Sequence, residues 1–148
     1  MPPALYKRNL GAKPPGEKPM SSPVLLRWHE IVRTRDMAGL HELLAPDVVF
    51  HSPVVHTPQA GRAITEKYLM AAMHVLNNPS FKYLNEWSGP HSGVLEFQTV
   101  LNETIVNGVD IIDWNAGHQI TRFKVMVRPL RAVNTLHEMM RKMLEAGG

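Results

Sequence analysis

The stretch that decides the fold is residues Val94–Val127, with the sequence VLEFQTVLNETIVNGVDIIDWNAGHQITRFKVMV. Apolar and polar residues alternate along much of it, which is the two-residue period of a strand buried on one face. The period and the turn-forming residues divide the stretch into three strands: Val94–Leu101, Thr104–Trp114 and Gln119–Val127. Consecutive strands on short connections predict an antiparallel meander.

A fourth long strand, Phe81–Trp87, precedes the meander, and helices flank the whole set. Apolar spacing of i, i+3, i+4, i+7 predicts helices at Val24–Arg35, Asp36–Leu44, Arg62–Leu76 and Leu130–Leu144. Pro46 is expected to end the second helix, and Val48–Phe50 to form a short strand before the third. The order α-α-β-α-β-β-β-β-α places most helices before most strands, which predicts an α+β fold.

The net charge of +3 on 148 residues is concentrated at one end of the chain. Residues 1–23 hold four basic side chains against one acidic side chain, together with six of the twelve prolines, and account for the whole excess. The sequence therefore predicts an extended arm over 1–23 and a single, nearly neutral domain over 24–148. A neutral domain gives no reason to expect a nucleic-acid partner.

Several classes of site are not expected from the composition. The chain has no cysteine, which excludes a disulfide framework and a cysteine nucleophile. Its eight histidines show no zinc-protease spacing, and no glycine-rich phosphate loop occurs, so we predict neither a metal nor another cofactor. No apolar run is long enough for a secretory signal or a membrane span, which makes the cytoplasm the expected location.

Four phrases of the sequence carry a family resemblance. They are Leu43–Phe50 (LLAPDVVF), Gly61–Ile64 (GRAI), Gly108–Asp110 (GVD) and Val125–Pro129 (VMVRP), in that order along the chain. This series resembles the nuclear transport factor 2-like superfamily, and within it the SnoaL-like domains with the polyketide cyclase and ketosteroid isomerase-like fold. The resemblance covers about residues 24–145. It implies a strongly curved, mainly antiparallel sheet wrapped as a cone around the N-terminal helices, with a pocket at its open end and homodimers through its outer face.

Asp110 is the residue that most suggests chemistry. It lies in a strand between Val109 and Ile111, and burial there raises the pKa of a carboxyl group. By its place in the phrase GVD it resembles the aspartic acid of the oxyanion hole in the steroid isomerases. The alternative is an aspartate satisfied by the backbone, or by a basic neighbour such as Arg122 or Arg128.

Two other catalytic positions depart from the steroid isomerases. The resemblance places their carboxylate base at Ser52, immediately before Pro53, and their helix-1 tyrosine at Trp28. A serine without an activating base is a weak proton acceptor, so ketosteroid isomerisation by that mechanism is not expected. His51 could replace the base because its unperturbed pKa suits proton transfer, although strand alternation puts His51 and Ser52 on opposite faces. The catalytic candidates are therefore Asp110, His51 and Ser52.

Apolar and semi-polar side chains are predicted to line the pocket, or else simply to fill the core. They are Trp28, Tyr68, Met73, Leu95, Phe97, Thr99, Leu101, Ile112, Trp114, Met126 and Arg128. The expected ligand is a small apolar or carbonyl-containing molecule, with proton-transfer chemistry of the isomerase, cyclase or dehydratase type. The alternative, favoured by the two missing catalytic groups, is a non-catalytic ligand-binding module or a dimerisation or interaction module.

Overall fold

The computed structural model describes residues 22–147. The predicted arm therefore lies outside the described residues, except for Ser22 and Pro23, which begin the first helix. The helices are α1 (Pro23–Thr34), α2 (Met37–Leu43), α3 (Arg62–Leu76) and α4 (Leu130–Gly147). The strands are β1 (Leu44–His51), β2 (Gln59–Ala60), β3 (Lys82–Ser88), β4 (Ser92–Leu101), β5 (Thr104–Trp114) and β6 (Ile120–Arg128).

The six strands form one open sheet in the order β2-β1-β6-β5-β4-β3. Strands β3 to β6 are the predicted antiparallel meander, whereas β1 pairs with β6 in parallel. The predicted α+β class and order of elements are confirmed. Strand β1 is longer than predicted because it starts directly after α2 and carries Pro46 within it, in a segment where the pairing with β6 is irregular. The two-residue strand β2 was not predicted.

The first two helices begin at capping residues that the sequence supplies. The Ser22 hydroxyl oxygen accepts a hydrogen bond from the Leu25 amide at 3.1 Å, and Pro23 occupies the first helical position. The Asp36 carboxylate accepts one from the Gly39 amide at 2.9 Å. The Ser22 cap fixes where α1 starts, and Trp28 lies on the buried face of this helix.

The two faces of the sheet have opposite characters. Alternate residues of β4 and β5, from Leu95 to Leu101 and from Asp110 to Trp114, point inward and are buried with the apolar faces of the helices. The outer face carries Ile105 and Met126, which are 58% and 54% exposed. None of the helices between residues 22 and 147 is long and apolar enough to cross a membrane.

Gly108 permits the close packing next to Asp110. A β-carbon at this position would lie 2.5 Å from Phe97 Cζ and 2.6 Å from the Met126 carbonyl oxygen. Because such distances are far inside van der Waals contact, only glycine lets the Phe97 ring lie directly against β5. The ring then forms part of the wall beside Asp110.

Candidate functional site

A cavity of about 60 Å³ lies between the inner face of the sheet and the helices. Its wall is mostly apolar, with polar groups contributed by Ser52, Asn77, Tyr83, Asp110 and the Trp28 indole. The apolar lining residues are Val32, Phe50, Pro53, Val54, Leu69, Ala72, Met73, Leu76, Phe81, Phe97, Phe123, Val125, Leu136 and Met140. Such a space holds a few water molecules, or a small apolar group.

Asp110 is the centre of a chain of hydrogen bonds in this wall. Its side chain is 6% exposed, and its Oδ2 accepts a hydrogen bond from the Tyr83 hydroxyl at 3.0 Å. The Tyr83 oxygen in turn accepts a hydrogen bond from Trp28 Nε1 at 2.9 Å. The Tyr83 bond is the one hydrogen bond that the described residues make to the Asp110 carboxyl.

No basic side chain among the described residues neutralises Asp110. Arg122 Nε lies 3.0 Å from Oδ2 of Asp113, which is three residues after Asp110 on β5. Arg128 pairs with Asn107 across the strands and lies near Glu96 on the outer face. The structure therefore excludes these two arginines, which the sequence left open, as the partners of Asp110.

Burial of the Asp110 carboxyl, with no basic side chain beside it among the described residues, determines its protonation. Desolvation raises the pKa of Asp110 from 3.8 to about 7, against the opposing effect of the Tyr83 hydrogen bond. Desolvation and the neighbouring Asp110 also raise the pKa of Tyr83 well above 10.0. Near neutral pH, Tyr83 is thus a constant donor, while Asp110 is present in both its neutral and its ionised form.

Five of the predicted site residues border the cavity: Trp28, Ser52, Met73, Phe97 and Asp110. Ser52 follows the last residue of β1, and its Oγ accepts a hydrogen bond from the Val54 amide at 3.1 Å. Its own hydroxyl proton is left for another acceptor. The structure thus brings Ser52 and Asp110 to one cavity; whether either is catalytic stays a prediction.

His51 lies outside the cavity, contrary to the prediction that it could assist Asp110. Strand alternation turns Phe50 inward and His51 outward, beside β6. Partial burial and the charges of Lys124 and Arg122 lower the pKa of His51, which favours its neutral form.

Eight other predicted lining residues are also absent from the cavity wall. Met126 and Arg128 point to the outer face, because neighbouring residues of a strand face opposite sides and Val125 is the inward one. Tyr68 packs against the Phe50 ring, with 5.6 Å between ring centroids. Leu95, Leu101 and Ile112 are buried in the hydrophobic core and do not border the cavity.

Two further inward residues are engaged elsewhere by hydrogen bonds. Thr99 donates to the Leu76 carbonyl at 3.0 Å, at the end of α3. Trp114 Nε1 donates to the Pro90 carbonyl at 3.2 Å, at the turn between β3 and β4. Neither of these predicted lining residues borders the cavity.

Tyr83 borders the cavity and bonds Asp110, and the sequence prediction did not include it. It pairs with Phe97 across β3 and β4, which places it on the inner face opposite a wall residue. An irregularity in pairing between Tyr83 and Asn85 shifts the alternation along β3. The only signal in the sequence was a tyrosine two residues into a predicted strand, which does not specify a face.

Comparison with known families settles the assignment. The SnoaL-like domain family matches residues 25–123 of this chain. The chain belongs to the SnoaL-like family. This SnoaL-like domain is thus a member of the nuclear transport factor 2-like superfamily, as the resemblance implied.

Solved structures similar to this SnoaL-like domain include a steroid delta-isomerase from Pseudomonas aeruginosa. It is 32% identical, with a TM-score of 0.81 over 88% of this chain and 97% of that chain. An uncharacterised protein with a cystatin-like fold from Silicibacter pomeroyi is also 32% identical, with a TM-score of 0.75 over 81% and 84% of the two chains. An NTF2-like protein of unknown function from Mesorhizobium loti, 19% identical, shares the fold with a TM-score of 0.62 over 72% and 88%. No curated protein matches the sequence.

Metal chemistry has no obvious ligand set in the described part of this SnoaL-like domain. Between residues 22 and 147, no three histidine or carboxylate side chains lie close enough together to hold a metal ion. The polar side chains among the lining residues carry one carboxyl, two hydroxyls, an amide and an indole. Such a set suits hydrogen bonding and proton transfer.

Proposed function

We propose that this SnoaL-like domain binds a small, mainly apolar carbonyl compound and catalyses proton-transfer chemistry on it, of the isomerase, cyclase or dehydratase type. Asp110 acts as the acid, or as a hydrogen-bond donor to the oxyanion that develops on the carbonyl oxygen. The observation that carries the proposal is a carboxyl group 6% exposed, on the wall of an apolar cavity, with no cation beside it among the described residues. The 32% identity to a protein described as a steroid delta-isomerase supports the reaction class.

The protonation of Asp110 suits this role. With a pKa of about 7, the neutral form is abundant at physiological pH. When Asp110 gives its proton to the carbonyl oxygen, the resulting carboxylate takes up the proton that leaves the α-carbon, and this restores the neutral acid. A positioned general acid contributes a factor of about 10²–10⁴ to the rate, and an oxyanion donor about 10²–10³. Ser52 can add a second hydrogen bond through its free hydroxyl proton, but it lacks a base and does not itself take up a proton.

The dimensions of the cavity define the size of the substrate. Its 60 Å³ is far below the roughly 300–1,000 Å³ of pockets that bind drug-sized ligands. The proposed substrate is therefore a compact ketone or enone. Met73 and Met140 in the wall have flexible side chains, and larger compounds enter only when these move.

The test separates the two roles proposed for Asp110. The full chain is incubated with small β,γ-unsaturated ketones, β-hydroxy ketones and one β,γ-unsaturated ketosteroid, and conversion is followed by ultraviolet absorbance and NMR. Asp110→Asn keeps an N–H donor but cannot transfer a proton, whereas Asp110→Leu has neither ability. Loss of turnover by about 10²–10⁴ in both variants indicates proton transfer, and a smaller loss in Asp110→Asn indicates an oxyanion donor.

Asp113→Asn is the matched control, because Asp113 lies on the same strand but pairs with Arg122 outside the cavity. It should leave turnover unchanged. Wild-type turnover in Asp110→Leu would contradict the assignment of Asp110. Retention of the compounds without conversion would instead identify a non-catalytic binding module.

We also propose that the domain forms a homodimer through the outer face of its sheet, as the family resemblance implies. The support is a set of apolar side chains on four strands of that face. They are Trp87, Val100, Ile105 and Met126, each between 41% and 58% exposed. Covering them with the same surface of a second copy removes apolar area from water on both chains.

The oligomeric state tests this second proposal. We expect light scattering after size-exclusion chromatography to give twice the mass of the chain, and Ile105→Asp to convert the dimer to a monomer. Leu26→Asp is the control, since Leu26 is 57% exposed on α1, a helix that packs on the inner face of the sheet. A monomeric wild type at micromolar concentration would contradict the proposal.

A further inference from the structure

We propose that Tyr83 is a positioning residue that places the proton of neutral Asp110 on Oδ1, with Trp28 fixing the direction of the Tyr83 hydroxyl. The inference rests on the proposed function of Asp110 as an acid or donor. The inference specifies which of the two Asp110 carboxyl oxygens carries the proton, and which contact determines this.

The direction of each hydrogen bond follows from the chemistry of the three groups. An indole N–H can only donate, so the bond of 2.9 Å from Trp28 Nε1 occupies a lone pair of the Tyr83 oxygen. The single proton of the hydroxyl is then free to donate. Asp110 Oδ2, at 3.0 Å, is the acceptor that the described residues offer it.

A buried hydroxyl that failed to donate would lose a hydrogen bond without compensation. Tyr83 therefore donates to Oδ2 whether Asp110 is ionised or neutral. In the neutral form Oδ2 is an acceptor, which leaves the acid proton on Oδ1. Because Asp110 borders the cavity and makes no other hydrogen bond with the described residues, Oδ1 is the oxygen left to meet a ligand.

Packing holds the donor in place. The Tyr83 ring lies edge-on to His29 and to Phe81, with centroid distances of 5.0 and 5.1 Å. The Trp28 ring packs edge-on against Phe123 at 4.8 Å. Neither ring can swing away without losing these contacts, so the three hydrogen-bonding groups are organised before a ligand arrives.

Tyr83→Phe tests the inference because it removes one oxygen and keeps the ring. The readout is the pKa of the Asp110 carboxyl in the ligand-free protein, from ¹³C NMR titration of the full chain. Loss of a hydrogen bond to the ionised form should raise this pKa by about one unit. Trp28→Phe, which leaves the Tyr83 hydroxyl free to turn, should raise it by less.

Tyr68→Phe is the control for the titration, because Tyr68 packs on Phe50 outside the cavity and should not affect Asp110. Circular dichroism and thermal melting confirm that each variant is folded. An Asp110 pKa that is unchanged or lower in Tyr83→Phe would overturn the positioning role, whatever the turnover.

The pH profile of a substrate found in the panel gives a second readout. In Tyr83→Phe we expect kcat/KM at low pH to fall, since the proton is shared between both oxygens, and its alkaline limb to shift upward with the Asp110 pKa. A merely structural role would lower the rate without moving that limb. A raised pKa in a protein that converts no compound would support the hydrogen-bond direction while contradicting the proposed function.

Discussion

Replacing Asp110 by asparagine should stabilise the fold at alkaline pH and change it much less in mild acid. The wild-type carboxyl has a pKa of about 7 when folded, against 3.8 for an unperturbed aspartate. Between these values the native state holds a proton that the unfolded chain has lost. Stability therefore falls as pH rises from about 4 to about 7, and it is constant above that range.

The size of the effect follows from the pKa difference. A shift from 3.8 to about 7 corresponds to roughly 4 kcal/mol of lost stability at pH 8, of which roughly 2 kcal/mol is already lost at pH 5. Asparagine stays neutral throughout this range, and its amide oxygen can still accept the Tyr83 hydrogen bond. The stability of Asp110→Asn relative to wild type should then increase by about 2 to 3 kcal/mol between pH 5 and pH 8.

Urea unfolding of both proteins at the two pH values measures this difference directly. In thermal unfolding the same change corresponds to a relative gain in Tm of about 5–10 °C for a chain of this size. Asp113→Asn should show a difference within about 1 kcal/mol at both pH values, because Asp113 is a partly exposed member of a surface pair. If the Asp110→Asn difference is the same at pH 5 and pH 8, Asp110 is not desolvated in the way that the structure shows.

Four further substitutions test the packing beside the site and the cap of α1. Gly108→Ala should destabilise the fold by about 1–3 kcal/mol in urea unfolding, because the new methyl group meets Phe97 at 2.5 Å. If the free energy of unfolding does not change, the Phe97 ring does not lie against β5. Val125→Ser should lower the free energy of unfolding by about 2 kcal/mol, and Met126→Ser should lower it by less than about 0.5 kcal/mol, because of the two only Val125 points inward. A larger loss in Met126→Ser would indicate a strand register shifted by one residue. Ser22→Ala should lower the Tm through loss of the α1 cap, which is equivalent to about 1 kcal/mol, and an unchanged Tm would show that the cap does not stabilise the native state.

The sequence predicted the inner face of the sheet correctly where apolar and polar residues alternate without interruption. In β4, Leu95 and Phe97 alternate with Glu96 and Gln98, and the buried set is the predicted one. In β6 the run Val125-Met126-Val127 is apolar at every position, so the alternation of apolar and polar residues does not show which of them face inward. The choice of Met126 as a lining residue failed there, because the register that decides it comes from pairing with β5.

The immediate surroundings of Asp110 depended on information that one strand does not contain. Whether Arg122 reaches Asp110 or Asp113 is set by the register of β5 against β6, which pairs Asp113 with Arg122. The Tyr83 contact depends on the pairing of β3 with β4 and on the irregularity that follows it. A position can thus be singled out from its place in a motif, while its hydrogen-bond partners emerge only when the strands are assembled.

The two departures from the steroid isomerase pattern act together in this structure. By the resemblance, Trp28 corresponds to a tyrosine, and the Trp28 N–H is engaged by Tyr83 and is not available to a ligand. Ser52 corresponds by the same resemblance to a carboxylate, and no second acid among the described residues shares the cavity with Asp110. A second carboxylate nearby would raise the pKa of one member of the pair still further. Because Asp110 is alone, burial and the Tyr83 hydrogen bond determine its pKa, and the proposed chemistry is one in which this single group gives and recovers the proton.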